Sequence, residues 1–284
     1  MIFESHAHYE DRKFDSDRIE LLSNMKKKNI GTIINVGTTL ELSRASIALS
    51  HEYDFIYAAI GVHPSDIECL EEAESAMGGK PETDDAGQTA ESHDGIVQLR
   101  NIAVSEKKVV AIGEIGLDFY WEKDEAVRER QRYWYREQLA LARELELPVI
   151  IHSREANEET FNIMKEAAAA GTRGVIHCYS GSPDMAEQYV KLGYYIGIGG
   201  VVTFKNGKKL KETAKRIPLE NILVETDCPY MAPEPFRGER NDSTFLPYII
   251  KEIAELREIT VDEVMEVTRE NGRRLFGITA DDRR

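Results

Sequence analysis

The sequence predicts a (β/α)8 (TIM) barrel formed by a single domain, and three observations support this fold class. Short apolar runs typical of β-strands alternate with segments that resemble helices, and the alternation gives eight strands. The chain has 284 residues, 42% of them apolar, and one such barrel uses about 250. No GxGxxG pattern follows the first run, which disfavours an open doubly wound sheet.

The predicted elements follow one another in strand–helix order along most of the chain. The predicted strands cover residues 2–5, 31–36, 55–60, 109–113, 148–151, 173–176, 194–198 and 222–225. The predicted helices cover 16–29, 39–52, 123–146, 155–170, 183–191 and 206–216, and two more near 243–257 and 261–275 would complete the outer ring.

One segment interrupts this order. Glu68–Asp94 contains Gly78-Gly79, Pro81 and many acidic or small residues, which is a composition unsuited to a packed element. We expect it to be an acidic insertion in the loop after the third strand. Residues 277–284 are expected to be a C-terminal tail, so that residues 1–284 form one domain.

Composition limits the cellular setting and the partners. There is no run of about 18 apolar residues and no signal-peptide pattern at the start, and Cys69, Cys178 and Cys228 are scattered. We therefore expect a cytoplasmic protein with free thiols, no membrane contact and no obligate protein partner. The net charge of −15 disfavours an ordinary nucleic-acid-binding surface but does not exclude a nuclease, because bound cations change the local charge.

Possible metal ligands stand at the ends of five predicted strands. His6 and His8 are two residues apart, so both imidazoles point to the same side of a strand. The others end or directly follow their own apolar runs; they are Glu114, His152, His177 and Asp227. Since the carboxyl ends of barrel strands meet at one mouth, all six side chains are expected there. Any one of them alone is as well explained as a hydrogen-bonded core residue.

The six ligands indicate two cations. One ion that keeps a coordination position open for water or substrate cannot use six protein ligands. Two ions can share them, with Glu114 placed to bridge the two ions. Imidazole and carboxylate ligands are compatible with zinc, manganese, iron or magnesium, so the metal stays open.

Six motifs, in their order along the chain, resemble those of the TatD family of metal-dependent deoxyribonucleases, within the amidohydrolase-like barrels. The resemblance covers about residues 1–276. The motifs are SHAH (5–8), GVHP (61–64), GEIGLDFY (113–120), IHSREA (151–156), IHCYSG (176–181) and ETDCPYMAPEPFRGERN (225–241).

The resemblance implies a divalent-metal phosphodiesterase that acts on DNA, often trimming single strands from an end, for example in the 3'–5' direction. The metal ligands of the family match the same six residues, and His63 matches a position used beside the metals for substrate. Two features depart from the family: Glu4 replaces the usual aspartate before the HxH pattern, and the insertion is longer than expected.

The residue types also suggest catalytic roles. Two cations (Mg, Mn or Zn) would lower the pKa of a bridging water and hold the scissile phosphate, with Glu114 as the bridge. We expect Asp227 to be both a ligand and the base that takes the proton from that water. Glu225, on the same strand face, would orient the site or bind directly.

Several residues on loops near the mouth are candidates for substrate binding. Arg154, Lys205, Arg237 and Arg240 could contact phosphates, although exposed cations are usually only solvated. Tyr120, Tyr179 and Tyr230 could stack on bases, although packing in the rim is the commoner role of such tyrosines.

Two other functions stay open. The first is a hydrolase for another ester or amide, such as an aminoacyl ester, because the barrel and its metals do not fix the substrate. Relatives that cleave amide rings commonly bridge the metals with a strand-four lysine, so Glu114 favours a phosphoesterase, for which the resemblance implies DNA, in particular single-stranded ends, as the substrate. The second is a metal-binding scaffold without catalysis, which the excess of ligands at an open mouth disfavours.

Overall fold

The computed structural model describes residues 1–71 and 94–279. Eight parallel strands pair in chain order, and a bridge between Ala7 and Cys228 joins the segment after the last strand to the first. The predicted (β/α)8 barrel is thereby confirmed. The strands are β1 (Ile2–Ala7), β2 (Ile30–Val36), β3 (Ile56–Ile60), β4 (Val109–Asp118), β5 (Val149–Arg154), β6 (Gly174–Ile176), β7 (Tyr195–Ile198) and β8 (Ile222–Val224).

Helices surround the strands and largely follow the predicted positions. They are α1 (Arg18–Ser23), α2 (Leu40–Glu52), α3 (Asp94–Ser105), α4 (Glu125–Glu144), α5 (Asn157–Ala169), α6 (Pro183–Lys191), α7 (Lys208–Arg216), α8 (Leu246–Arg257) and α9 (Val261–Phe276). No helix of the described ranges has the length and apolar character needed to span a membrane.

Local capping explains where several helices begin and end. Ser182 accepts a hydrogen bond from the backbone of Met185, and Pro183 occupies the first turn of α6. Thr260 caps α9 in the same way, and Gly277 ends that helix with a left-handed conformation. These residue types are the usual start and stop signals, which is why the sequence located both helices closely.

The apolar core has two parts, separated by the strands. The smaller part takes at least one residue from each of the eight strands together with the end of α9, where Phe276 stacks on Phe3 with ring centroids 5.9 Å apart. A cluster with members from every strand fills the interior of the barrel. The larger part lies between the strands and the surrounding helices.

Several predicted elements differ from the structure. The helix predicted at 16–29 ends at Ser23 and continues as a separate 3-10 turn at Lys26–Lys28, because left-handed Asn29 turns the chain into β2. Helix α3 was missed. Strand β4 was predicted to stop at residue 113 but pairs with β5 up to Asp118, so Glu114 lies inside the strand.

The predicted acidic insertion at Glu68–Asp94 lies largely outside the described residues. Its first part is a packed element, in contrast to the prediction: residues 68–71 are helical, Leu70 is fully buried and Glu71 binds Arg130. Asp94, the last residue of the predicted insertion, is the first residue of α3. Of the predicted tail, Gly277 to Thr279 is described, and Ile278 is buried against the barrel core.

Candidate metal centre

The six predicted metal ligands meet at one end of the barrel. His6 belongs to β1, Glu114 to β4 and His152 to β5. His8 and His177 directly follow β1 and β6, and Asp227 lies in the loop after β8. The backbone N–H of Asp227 donates to the carbonyl of His6 over 3.0 Å, which fixes the loop after β8 against β1. The ligands therefore come from elements that the barrel itself brings together.

Glu114 lies between two groups of ligands. Its Oε2 is 3.4 Å from His6 Nε2 and 3.8 Å from His8 Nε2. Its Oε1 is 2.8 Å from His152 Nδ1 and 3.0 Å from His177 Nε2. Each carboxylate oxygen thus faces its own pair of imidazoles, which is the arrangement that a bridging ligand needs.

Asp227 lies beside the imidazoles of His6 and His8. Its Oδ1 lies 3.5 Å from His8 Nε2 and 3.8 Å from His6 Nε2, and its side chain is partly exposed to the cavity above. The residue adopts a left-handed backbone with φ 57°. A non-glycine residue rarely takes this conformation, and such strain is concentrated at functional sites.

The donor set fits a metal ion. His6 Nε2 and His8 Nε2 face each other at 3.0 Å, a separation typical of two ligand atoms that each lie about 2.1 Å from one cation. Nδ1 of buried His6 has no hydrogen-bond partner among the described residues, which is unusual for a polar atom inside a protein. Among the described residues, three groups have atoms close enough together to hold a metal ion: His6 with His8 and Asp227, His6 with His177 and Glu225, and His63 with Glu114 and His152.

Outer hydrogen bonds fix the orientation of two ligand imidazoles. Nδ1–H of His8 donates to the carbonyl oxygen of Val36 over 2.7 Å, which leaves Nε2 to bind a cation. Nε2 of His152 lies 3.2 Å from Oδ2 of Asp118, which leaves Nδ1 toward the cluster. Sequence reasoning missed Asp118, although its place in the GEIGLDFY motif, four residues after Glu114 in the same strand, was a usable signal.

Protonation equilibria in the cluster follow from burial and from neighbouring charges. Burial by itself would lower the pKa of His8, but the carboxylates of Asp227 and Glu10 outweigh it and raise the pKa well above the ordinary value. Burial opposes the ionised form of Glu114, yet His177 and the other imidazoles hold its pKa well below normal. A cation bound here would therefore compete with protons for the histidine nitrogens.

Glu225 lies behind His177. Its Oε1 accepts a hydrogen bond from the backbone N–H of Cys178 and is 3.5 Å from His177 Nδ1. The absence of a side chain at Gly197 makes room for it, because a Cβ there would lie 2.5 Å from Glu225 Oε2. This placement fits the expected orienting role, and Oε2 has no hydrogen-bond partner among the described residues, so direct binding also stays open.

A cavity of about 400 Å³ opens above the ligands, and His63 and Arg154 line it. Burial, followed by the charge on His152, lowers the pKa of His63 to about 3, so its imidazole is neutral at ordinary pH. His63 Nδ1 accepts the N–H of Ser65 over 3.1 Å, so that the proton is on Nε2. His63 thus offers a neutral hydrogen-bond donor beside the cluster, 3.8 Å from Glu114.

Comparison with known proteins identifies the family. A family model described as TatD related DNase matches residues 3–277. The chain belongs to the TatD family. It is 39% identical, over 98% of its length and 100% of the relative, to the metal-dependent hydrolase YabD of Bacillus subtilis. It is 31% identical, over 98% of its length and 99% of the relative, to a protein of Rahnella sp. named 3'-5' ssDNA/RNA exonuclease TatD.

A solved structure agrees with this assignment. The TatD homologue YjjV of Escherichia coli K12 superposes with a TM-score of 0.84 at 31% identity, and the match covers 98% of both chains. As a TatD family member, the protein is a metal-dependent hydrolase, and its six clustered ligands are the candidates for holding the metal.

Glu4, two residues before His6 in β1, is fully buried beneath the predicted ligands. It accepts hydrogen bonds from the N–H of Thr226 over 2.8 Å and from its hydroxyl over 2.7 Å, and a longer one from the N–H of His6. Burial raises the pKa of Glu4 to about 8. The side chain of Glu4 thus ties the segment after β8 to β1 directly below His6.

Four predicted substrate-binding residues of this TatD protein do not reach the cavity above the ligands. Arg240 makes a two-point ion pair with Asp17, and the guanidinium of Arg237 lies over the ring of Phe204. Lys205 is exposed on the loop after β7. Tyr179 is 4% exposed and donates its hydroxyl to the carbonyl of Ser182. Of the other two tyrosines, Tyr230 lines the cavity and Tyr120 is exposed beside Arg154.

Proposed function

We propose that the protein is a nuclease that hydrolyses phosphodiester bonds of DNA, preferentially at single-stranded ends and in the 3'–5' direction, with two divalent cations. The observation that carries this proposal is the position of Glu114, whose two carboxylate oxygens face separate pairs of imidazoles. That arrangement suits two cations that share one carboxylate, and it lines an open cavity of about 400 Å³.

The identity of the cations is proposed as Mg, Mn or Zn from the mixture of imidazole and carboxylate donors. When bound, two such ions lower the pKa of water and stabilise the negative charge of the reacting phosphate and of the leaving oxygen. The six ligands that would hold them are His6, His8, Glu114, His152, His177 and Asp227.

The remaining chemistry belongs to side chains of the cavity. Asp227 would take the proton from the attacking water, whose oxygen forms a bond to phosphorus as the bond to the leaving oxygen breaks. Neutral His63 would donate its Nε2–H to a phosphate oxygen, and Arg154 would hold the neighbouring charge. Glu225 would keep the imidazole of His177 in place from behind.

The relative from Rahnella sp. named as an exonuclease on ssDNA and RNA supports a nucleic-acid substrate. The net charge of −15 makes a long duplex-binding surface unfavourable, so we infer that affinity depends on contacts close to the metal centre. This is a further reason to propose strand ends as the substrate. A cytoplasmic location stays a prediction from composition.

A second candidate function is hydrolysis of an aminoacyl ester. A neighbouring cavity of about 530 Å³ shares Cys178 and Asp227 with the first and is lined in part by apolar Val201, Leu210 and Met231. Such a cavity could hold an apolar amino-acid side chain next to the ester bond. Glu114 in the bridging position is the reason that we place this function second.

One experiment tests both candidates. Protein stripped of metal is incubated with end-labelled single-stranded DNA, duplex DNA, RNA and a panel of aminoacyl esters, and each divalent metal is restored in turn. We expect stepwise shortening of single-stranded DNA that requires added metal and is lost in Asp227→Asn. Cleavage of aminoacyl esters without any cleavage of nucleic acid would reject the nuclease and support the ester hydrolase.

A further inference from the structure

An exposed aromatic pair stands immediately after β4. The side chain of Trp121 is 68% exposed and that of Tyr120 is 40% exposed, with the two rings edge to face at 4.7 Å. A tryptophan is rarely left this open, since its ring gains more from burial than most side chains do, and here a second exposed ring adjoins it. This pair is therefore a candidate contact surface.

A cation lies against the pair. The guanidinium of Arg154 is 4.1 Å from the centroid of the Tyr120 ring and 5.3 Å from that of Trp121. Lys123 approaches the Tyr120 ring at 5.8 Å and pairs with Glu155, whereas Arg154 makes no ion pair within residues 1–71 and 94–279. The charge of exposed Arg154 is therefore available to a phosphate, and its planar guanidinium already lies against the aromatic pair.

Two connections hold this surface at the metal centre. Oδ2 of Asp118 contacts the ligand His152, and Oδ1 of the same carboxylate accepts the backbone N–H groups of Tyr120 and Trp121 over 2.9 and 3.0 Å. Arg154 itself follows His152 by two residues on β5 and lines the cavity above the ligands. The aromatic pair is therefore fixed at the rim of the site where a substrate would enter.

We propose that Trp121, Tyr120 and Arg154 form a stacking platform for an unpaired nucleobase of the strand whose phosphodiester lies over the metal ligands. This inference rests on the proposed nuclease function and specifies its substrate. Every base presents a flat π-face, so the platform accepts any base but requires that it be unpaired. It selects single strands over duplexes, in which the faces of the bases are already stacked.

Kinetics with a base-free substrate test the platform. Single-stranded DNA is compared with an oligonucleotide of the same length in which the nucleotides near the cleaved end are abasic. Trp121→Ala should raise KM for normal DNA about 5- to 100-fold, the usual effect of losing one stacked base, and should leave the abasic substrate unchanged. Trp121→Phe should restore most of the loss. Tyr248→Ala, which removes another exposed aromatic ring located on α8, is the matched control and should behave as wild type.

Fluorescence gives a reading that is independent of cleavage. The chain has two tryptophans, and Trp134 is 2% exposed and donates to Glu71, so that quenching by a ligand reports mainly on Trp121. With metal present, a cleavage-resistant phosphorothioate single strand should quench the emission strongly. The same sequence in a duplex should quench it weakly, and Trp121→Phe should show little change with either.

Three results would overturn the platform. One is an equal loss of activity of Trp121→Ala on normal and abasic substrates. Another is cleavage of single strands by the wild type without any quenching of Trp121. The third is a sedimentation result in which Trp121→Ala converts an oligomer into monomers, since the patch would then be an interface between copies. Quenching by single strands in a protein that cleaves no nucleic acid would instead reject the proposed function and retain the platform.

Discussion

Glu114 is the residue on which the metal centre depends most, because both halves of the ligand cluster share its carboxylate. Glu114→Ala should lose at least one of two bound cations and nearly all turnover. Elemental analysis of the purified variant measures the occupancy. Full occupancy of two cations in Glu114→Ala would show that the carboxylate does not bridge.

Asp227 and Glu225 differ in what they contact, and their variants should differ accordingly. Asp227 faces the cavity, so Asp227→Asn removes a proton acceptor and should reduce kcat roughly 10²-fold or more with little change in KM. Glu225 is buried behind His177, so Glu225→Gln should cost about 10- to 100-fold through misplacement of that ligand.

Both variants are assayed at saturating metal, so that weak metal binding is not mistaken for lost chemistry. Near-normal turnover of Asp227→Asn combined with an inactive Glu225→Gln would reverse the two assignments.

Histidine protonation should couple metal binding to pH. Burial lowers the pKa of His177 and of His152, but carboxylates led by Glu114 for the first and Asp118 for the second raise both above normal. Cations bind only neutral imidazole, so affinity should fall as pH decreases through these raised pKa values, and binding should release protons.

Isothermal titration in two buffers of different ionisation enthalpy counts the released protons. His51→Gln, which changes an exposed histidine paired with Glu106 away from the cluster, should release the same number as wild type. Metal affinity that is constant between pH 6 and 9 would contradict this account.

At the scale of the elements, Lys108, the residue before β4, stabilises the connection between α2 and β3. Its ammonium donates to the backbone carbonyls of Ser50, Tyr53 and Ile56 over 2.5 to 3.1 Å. Lys108→Ala leaves these carbonyls without their donor and should lower the free energy of unfolding by about 2–3 kcal/mol, measured by urea denaturation. Exposed Lys107→Ala is the control and should change it by less than about 0.5 kcal/mol. Equal effects of the two variants would mean that the carbonyls are satisfied by water.

For the whole molecule, stability and metal binding should be separable. The barrel interior is filled by apolar side chains from every strand, and a second apolar layer packs under the helices. A chelator should therefore abolish turnover while the far-ultraviolet circular dichroism at 25 °C stays unchanged. Restored metal should recover the activity. Global unfolding on chelation would instead show that the cations are structural.

The sequence by itself determined the order of the strands and the six predicted ligands that meet at one mouth. Both depend on local patterns, since apolar runs specify strands and a parallel barrel necessarily gathers the ends of all of them. It also located helices whose ends have capping residues, such as α6 and α9. Residues 16–29 contain no comparable stop signal at the point where α1 ends, so the predicted helix was too long.

Only the tertiary structure decided which side chains meet across elements. Arg240 was a candidate for phosphate binding, but its guanidinium forms an ion pair with Asp17. Tyr179 was a candidate for stacking on a base, but its ring is buried. Asp118, which the sequence analysis did not single out, connects the predicted ligand His152 to Trp121. The physical reason is that hydrogen bonds and ion pairs act over about 3 Å, and the packing of distant segments, rather than any local pattern, brings their partners within that distance.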